Sequence, residues 1–184
     1  MSITKLMTSP VECCTPGTDL AAAAMMMWRA DCGIVPVVEP ESRRVVGVIT
    51  DRDICMAAGT RHQAICSIPV EEIMRRDIVT CRPSDSPRTA LAQMAERRVR
   101  RAPVVDDEGR LVGMLSMADL IRAAQSAEGR QGAPVTAEDV LAALVGICRP
   151  RTVSDQVMMS RPGRRRRTSV AENTGPRSAQ TAAR

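Results

Sequence analysis

The chain has 184 residues, enough for one or two modest cores, and its apolar content of 44% includes only one aromatic residue, Trp28. No apolar run approaches the roughly 20 residues of a membrane span, and the opening MSITKLMTSPVE lacks the basic start and apolar stretch of a secretion signal, so a cytoplasmic protein with no membrane partner is expected. The net charge of +5 is misleading until it is located: residues 1–150 carry 18 Lys and Arg against 19 Asp and Glu, while residues 151–184 carry 8 Arg and 2 acids.

In chain order, a short extended piece ends at Pro16, and a helix is expected over 20–30 (LAAAAMMMWRA) with Asp19 at its cap. Met25, Met26 and Met27 cannot all face one core, so this helix can offer an adaptable surface to a partner subunit. A strand over 34–39, a polar turn, a strand over 45–50 and a helix from about Arg52 follow. After a linker at 61–69 the same order returns. A piece ending at Pro83 precedes a helix over 87–98, with Ser86 as N-cap and Pro87 at its first position. Strands over 102–106 and 111–116 and a helix from about Ala118 come next.

A linker at 127–135 leads to a helix over 136–149, capped by Thr136 with Asp139 three residues on. Its apolar stripe is Val140, Leu141, Leu144, Val145 and Cys148. A helix this short is marginal alone in water, so it is expected to dock on the rest of the chain or on a dimer partner. Residues 150–184, rich in Arg, Ser, Thr, Pro and Gly, are expected to be disordered. There RRRRTS (164–169) can hold nucleic acid electrostatically, or the tail can remain solvated without a partner.

The repetition is specific. Placing each residue against the one 67 positions later sets ITKLM (3–7) on VEEIM (70–74), Cys14 on Cys81, Pro16 on Pro83, Met27 on Met94, and PVV (36–38) on PVV (103–105). After a one-residue loop difference, RVVGVITDRDI (44–54) lies on RLVGMLSMADL (110–120). Each copy reads β-α-β-β-α, with strands apolar enough to be covered by helices.

Two in-order copies of PVV followed by Gly, apolar residues, Thr or Ser, two variable residues and Asp resemble a tandem pair of CBS domains, a Bateman module, over about residues 3–125. The resemblance implies an α/β (α+β) fold. Two pseudo-symmetric motifs, 3–60 and 70–126, pack through their sheets, and the C-terminal helix and tail are additions. It also implies two clefts that often take AMP, ADP, ATP or S-adenosylmethionine, a disc-like homodimer, and a regulatory role toward another protein. The resemblance thus implies an adenosine nucleotide as the ligand and no required cofactor.

At each helix start, free backbone N–H groups favour phosphate, and Thr50 or Ser116 adds a hydroxyl. Asp53 or Asp119, one turn on, can accept from both hydroxyls of a ribose. The same spacing is a capping box, and the sequence leaves both readings open. The resemblance sets the adenine beside the backbone of Ile34, Val35 and Pro36, or of Arg101, Ala102 and Pro103, flanked by Val11 or Ile78. It also makes Arg101, with Arg100 behind it, a phosphate candidate, although these two can equally belong to a solvated basic run. Arg52 is a further phosphate candidate.

Catalysis is not expected. Asp51 and Asp53 are two apart and do not face each other on a helix. The lone His62 and seven cysteines without a C-x-x-C pair make neither a nucleophile–base pair nor a zinc site, so the thiols are expected to be reduced and mostly buried.

Overall fold

The computed structural model describes residues 2–128 and 132–150. The tail and its nucleic-acid contact lie outside them, as does part of the 127–135 linker. The elements are α1 (Leu20–Arg29), β1 (Ile34–Val38), β2 (Val45–Thr50), α2 (Asp51–Thr60), α3 (Pro87–Arg97), β3 (Arg101–Val105), β4 (Leu111–Ser116), α4 (Met117–Ser126) and α5 (Ala137–Cys148), with 3-10 turns at Ile3–Lys5, Ile65–Ser67 and Val70–Glu72. The second helix of each repeat starts at Asp51 or Met117, one residue before the expected position.

Each repeat builds an antiparallel hairpin in the same register, with Ile34 opposite Thr50 and Arg101 opposite Ser116. The extended piece before each first helix adds only a one-residue bridge. The Cys14 N–H donates to the Pro36 carbonyl (3.0 Å), and the Val38 N–H donates to the Cys14 carbonyl (2.9 Å). Cys81 bridges Pro103 and Val105 in the same way, at 2.9 Å each. A further rung would need an N–H at Pro36 or Pro103, and proline has none. The third strand therefore stops there, and the sheet edge lies open beside Ile34 and Arg101.

Each hairpin and its helices enclose a core. One gathers Cys14, Leu20, Ala23, Val35, Val37 and Ile49; the other gathers Cys81, Leu91, Met94, Ala102, Val104 and Leu115. The segment opening each repeat crosses to the opposite one. Ile3 is fully buried in the second core and Val70 in the first. The crossing continues as backbone pairing: Thr8 exchanges hydrogen bonds with Met114 (2.9 and 3.0 Å), and Arg75 with Val48 (3.0 and 2.9 Å). This crossing explains the glycine shared by the repeats. A Cβ on Gly47 would lie 2.8 Å from the Arg75 carbonyl oxygen, and one on Gly113 would lie 3.0 Å from that of Thr8. The hairpin loops also pair across the pseudo-two-fold, Val45 with Gly109 (3.0 Å) and Leu111 with Arg43 (3.1 Å).

Two expectations are corrected. The helix α5 lies on α3 and α4, but rotated from the expected stripe: Val140, Ala143 and Ile147 are buried, whereas Leu141 and Val145 are 63% and 56% exposed. The small side of the helix makes the close contact, with Gly146 reaching Ala95. The cysteines are free but not mostly buried. Cys14 and Cys81 lie in the cores, where burial pushes each thiol up to about 11, while Cys55, Cys66 and Cys148 are exposed because they fall on outward faces.

Candidate functional site

The site is built where each hairpin ends. Thr50 and Ser116 are still extended, with φ −119°, and each closes its strand and caps the next helix. The Asp53 N–H donates to Thr50 Oγ1 (3.2 Å), and Asp53 Oδ2 accepts from the Thr50 N–H (3.2 Å) and hydroxyl (2.6 Å). Ser116 and Asp119 repeat this at 3.3, 2.8 and 2.6 Å. Both capping boxes are formed, so helix initiation accounts for part of the conserved spacing within the chain. Each box uses one oxygen of its aspartate, Oδ2, and leaves Oδ1 to face another group.

In both repeats that group is an arginine that sequence reasoning did not single out. Arg75 holds Asp53 with a fork, Nη2 at 2.8 Å and Nε at 3.2 Å from Oδ1. Its hydrogen bonds to Asp53 push the guanidinium above its already high range. Asp119, only 6% exposed, is bound by Arg122 from the next turn of its own helix. The repeat carries no signal for Arg75, because an offset of 67 sets it on Thr8. The crossing that carries it into the first repeat's cleft is a tertiary feature.

The remaining candidates fall around these caps. In the first cleft, Ile34 is half-buried opposite Thr50, and its carbonyl accepts the Cys32 thiol (3.4 Å). Val35 and Pro36 are buried, and the Val35 side chain belongs to the core, so only its backbone is available to a base. Val11 is half-buried on the approach to the Cys14 bridge. Arg52 is exposed at the helix start, and its N–H is taken by the Asp51 carboxylate (2.6 Å).

In the second cleft, Arg101 is half-buried opposite Ser116, Ala102 and Pro103 are buried, and Ile78 is half-buried. Arg100 is turned toward α5, with its guanidinium on the Cys148 sulfur at 3.8 Å. Among the described residues no cluster of three or more His, Cys, Asp or Glu could hold a metal ion, and no helix is long and apolar enough to cross a membrane.

A second surface of the first repeat reaches the residues beside the cap, Gly33 and Asp51. Between α1 and α2 runs an open groove of about 530 Å³ lined by Ala24, Met27, Trp28, Cys32 and Ile54 among others. Trp28, which lines the groove, is 82% exposed, and Met25 and Met56 are exposed on the same two helices.

The chain's similarities agree with this architecture. The CBS domain family matches residues 3–59 and 70–126. The CBS domain-containing protein YhcV of Bacillus subtilis is 34% identical over 119 residues, 65% of this chain and 82% of YhcV. The solved structure of CBSX2 in complex with AMP superposes with TM-score 0.60 and 25% identity, covering 68% of this chain and 96% of that one. The CBS domain pair of protein MJ0100, in complex with 5-methylthioadenosine and S-adenosyl-L-methionine, gives 0.59 and 25%, covering 66% and 94%.

Proposed function

The chain belongs to the CBS domain family, and from that premise we propose that it is a non-catalytic regulatory module binding an adenosine nucleotide in its two clefts. The observation that carries this reading is the duplicated cap: a hydroxyl and a carboxylate one turn apart, beside a sheet edge that Pro36 or Pro103 holds open. The open edge leaves backbone groups for the base and the carboxylate serves the ribose; in the first repeat the phosphate falls to cleft side chains, because the N–H groups of Asp51, Arg52 and Asp53 are taken by the Gly33 carbonyl, the Asp51 carboxylate and Thr50 Oγ1. The AMP and S-adenosylmethionine complexes of the structural neighbours support the same ligand class. CBS domain pairs are generally regulatory, and in this reading the ligand acts by shifting a conformational equilibrium of the module toward or away from a regulated protein.

Calorimetric titration with AMP, ADP, ATP and S-adenosylmethionine tests the reading. At least one should bind with a Kd in the micromolar range, about 8 kcal/mol of binding free energy. Asp53→Ala combined with Asp119→Ala should weaken it by about tenfold or more, with thermal melts confirming that the double variant folds. No binding below millimolar, or unchanged binding in the double variant, defeats it.

The module acts as a homodimer in this reading, joined through the groove between α1 and α2. The corresponding outer face of the second repeat is covered by α5, whereas Met25, Trp28 and Met56 remain exposed on the first. Asp31 and Asp51 line the groove and Arg29 is exposed at the end of α1, so charges of both signs are available to a two-fold contact.

A further inference from the structure

We propose that Arg75 makes the first cleft selective for phosphorylated adenosine ligands, holding Asp53 against the ribose hydroxyls and yielding it only to a ligand whose phosphate takes the guanidinium in exchange. The inference rests on the nucleotide-binding reading and adds the rule by which one cleft chooses its ligand.

The carboxylate of Asp53 is fully engaged. Oδ2 accepts the hydroxyl and N–H of Thr50, and Oδ1 accepts Nη2 and Nε of Arg75, with Nε also 3.3 Å from Oδ2. A carboxylate has about four acceptor positions, so a ribose enters only by displacing a resident donor. The Thr50 donors are fixed in the capping box, which leaves the arginine as the one that can move. Its backbone is clamped to Val48, so the exchange occurs through side-chain rotation alone.

Moving a guanidinium off a carboxylate costs free energy unless another anion receives it. Adenosine brings no anion, and S-adenosylmethionine brings a sulfonium cation beside its carboxylate. A phosphate offers two or three oxygens that match the guanidinium fork. With its side chain 43% exposed, Arg75 has solvent-side room to turn from one partner to the other.

The second cleft lacks this device. Its crossing segment carries Thr8 where the first cleft has Arg75. The cation on Asp119 comes from Arg122, a helix residue whose own position in the first repeat is Met56. The two clefts thus present the same cap behind different counter-ions, and only the first has one delivered from the opposite repeat.

The test compares AMP with adenosine by calorimetry, in an Asp119→Asn background that silences the second cleft. With Arg75 present, AMP should bind at least about tenfold tighter than adenosine. Arg75→Thr, which installs the side chain of position 8, should reduce that ratio to within about threefold and tighten adenosine. Arg75→Lys should retain part of the preference, because it keeps the charge but not the fork. An unchanged ratio in Arg75→Thr overturns the inference while leaving the nucleotide-binding reading intact. Binding of neither ligand with Arg75 or Thr at this position overturns the inference, and the four-ligand titration of the unmodified chain then decides the nucleotide-binding reading separately. Thermal melts establish that each variant is folded.

Discussion

The two repeats of this chain are nearly the same machine finished in two ways. Each has a hairpin stopped by a proline on its central strand, a glycine under a crossing segment, and a Thr or Ser cap locked to an Asp by a 2.6 Å hydrogen bond. They differ where those shared parts meet solvent or the cleft. The second repeat is roofed by α5; the first leaves α1 and α2 bare around Trp28. The first takes a cleft arginine from the other repeat, and the second takes its own from α4. The framework residues are thus common because they answer the same packing problem twice. Division of labour is carried by the side chains at positions such as 8 and 75 or 56 and 122, while the backbone at 8 and 75 pairs alike in both repeats.

The sharpest way to break the comparison is to spoil the roof. Val140 is 6% exposed where α5 meets the second core, so Val140→Asp places a carboxylate among Leu91, Leu120 and their neighbours. Urea unfolding should show a loss of about 3–4 kcal/mol, the cost of burying an unpaired charge and losing its apolar contacts. A loss below about 1 kcal/mol would mean that α5 is not integral to the second repeat.

The glycines give an intermediate effect and compare the two crossings directly. At Gly47 an added methyl meets the Arg75 carbonyl at 2.8 Å, and backbone clamped to Val48 cannot retreat. At Gly113 the nearest atom, 2.6 Å away, is the flexible Met7 sulfur, and the Thr8 carbonyl is farther, at 3.0 Å. Gly47→Ala should therefore cost about 2–3 kcal/mol and Gly113→Ala about 1 kcal/mol in the same denaturant experiment. Equal losses would show that the sulfur gives no more way than the carbonyl.

These glycines also mark what the sequence could not reveal. The periodicity of the strands, the Asp19, Thr50, Ser86, Ser116 and Thr136 caps and the 67-residue offset are local or self-comparative signals, so the elements and the pairing of the repeats were legible. In the motif, Gly47 looked like part of a binding signature shared with Thr50 and Asp53. Its role as clearance for Arg75 depends on a segment 28 residues away by sequence, which only the crossing brings near. Arg75 was hidden for the same reason. Its counterpart Thr8 suggested no cation, and nothing local says that residues opening the second repeat complete the cleft of the first. The phase of α5 is not legible because large aliphatic residues draw the stripe, whereas the buried face is Val140, Ala143 and Ile147, with Gly146 beside Ala95.

The smallest effect on stability should come from the bare face, and it sharpens the contrast most. Trp28 is 82% exposed, so Trp28→Glu removes little buried area from the single chain. Its unfolding free energy in dilute solution should stay within about 0.5 kcal/mol of the parent. If the α1–α2 groove joins two copies, the same change sets a charge into an apolar seam and meets its own symmetry mate, because a two-fold brings like residues of both copies to one interface. Light scattering coupled to size exclusion should then find the parent as a dimer and the variant as a monomer. Leu141→Glu on the outer side of α5 is the matched control, since that residue is also exposed but lies on the roofed repeat. A dimer that survives Trp28→Glu but is lost in Leu141→Glu would place the seam on α5 and reverse the assignment of the two faces.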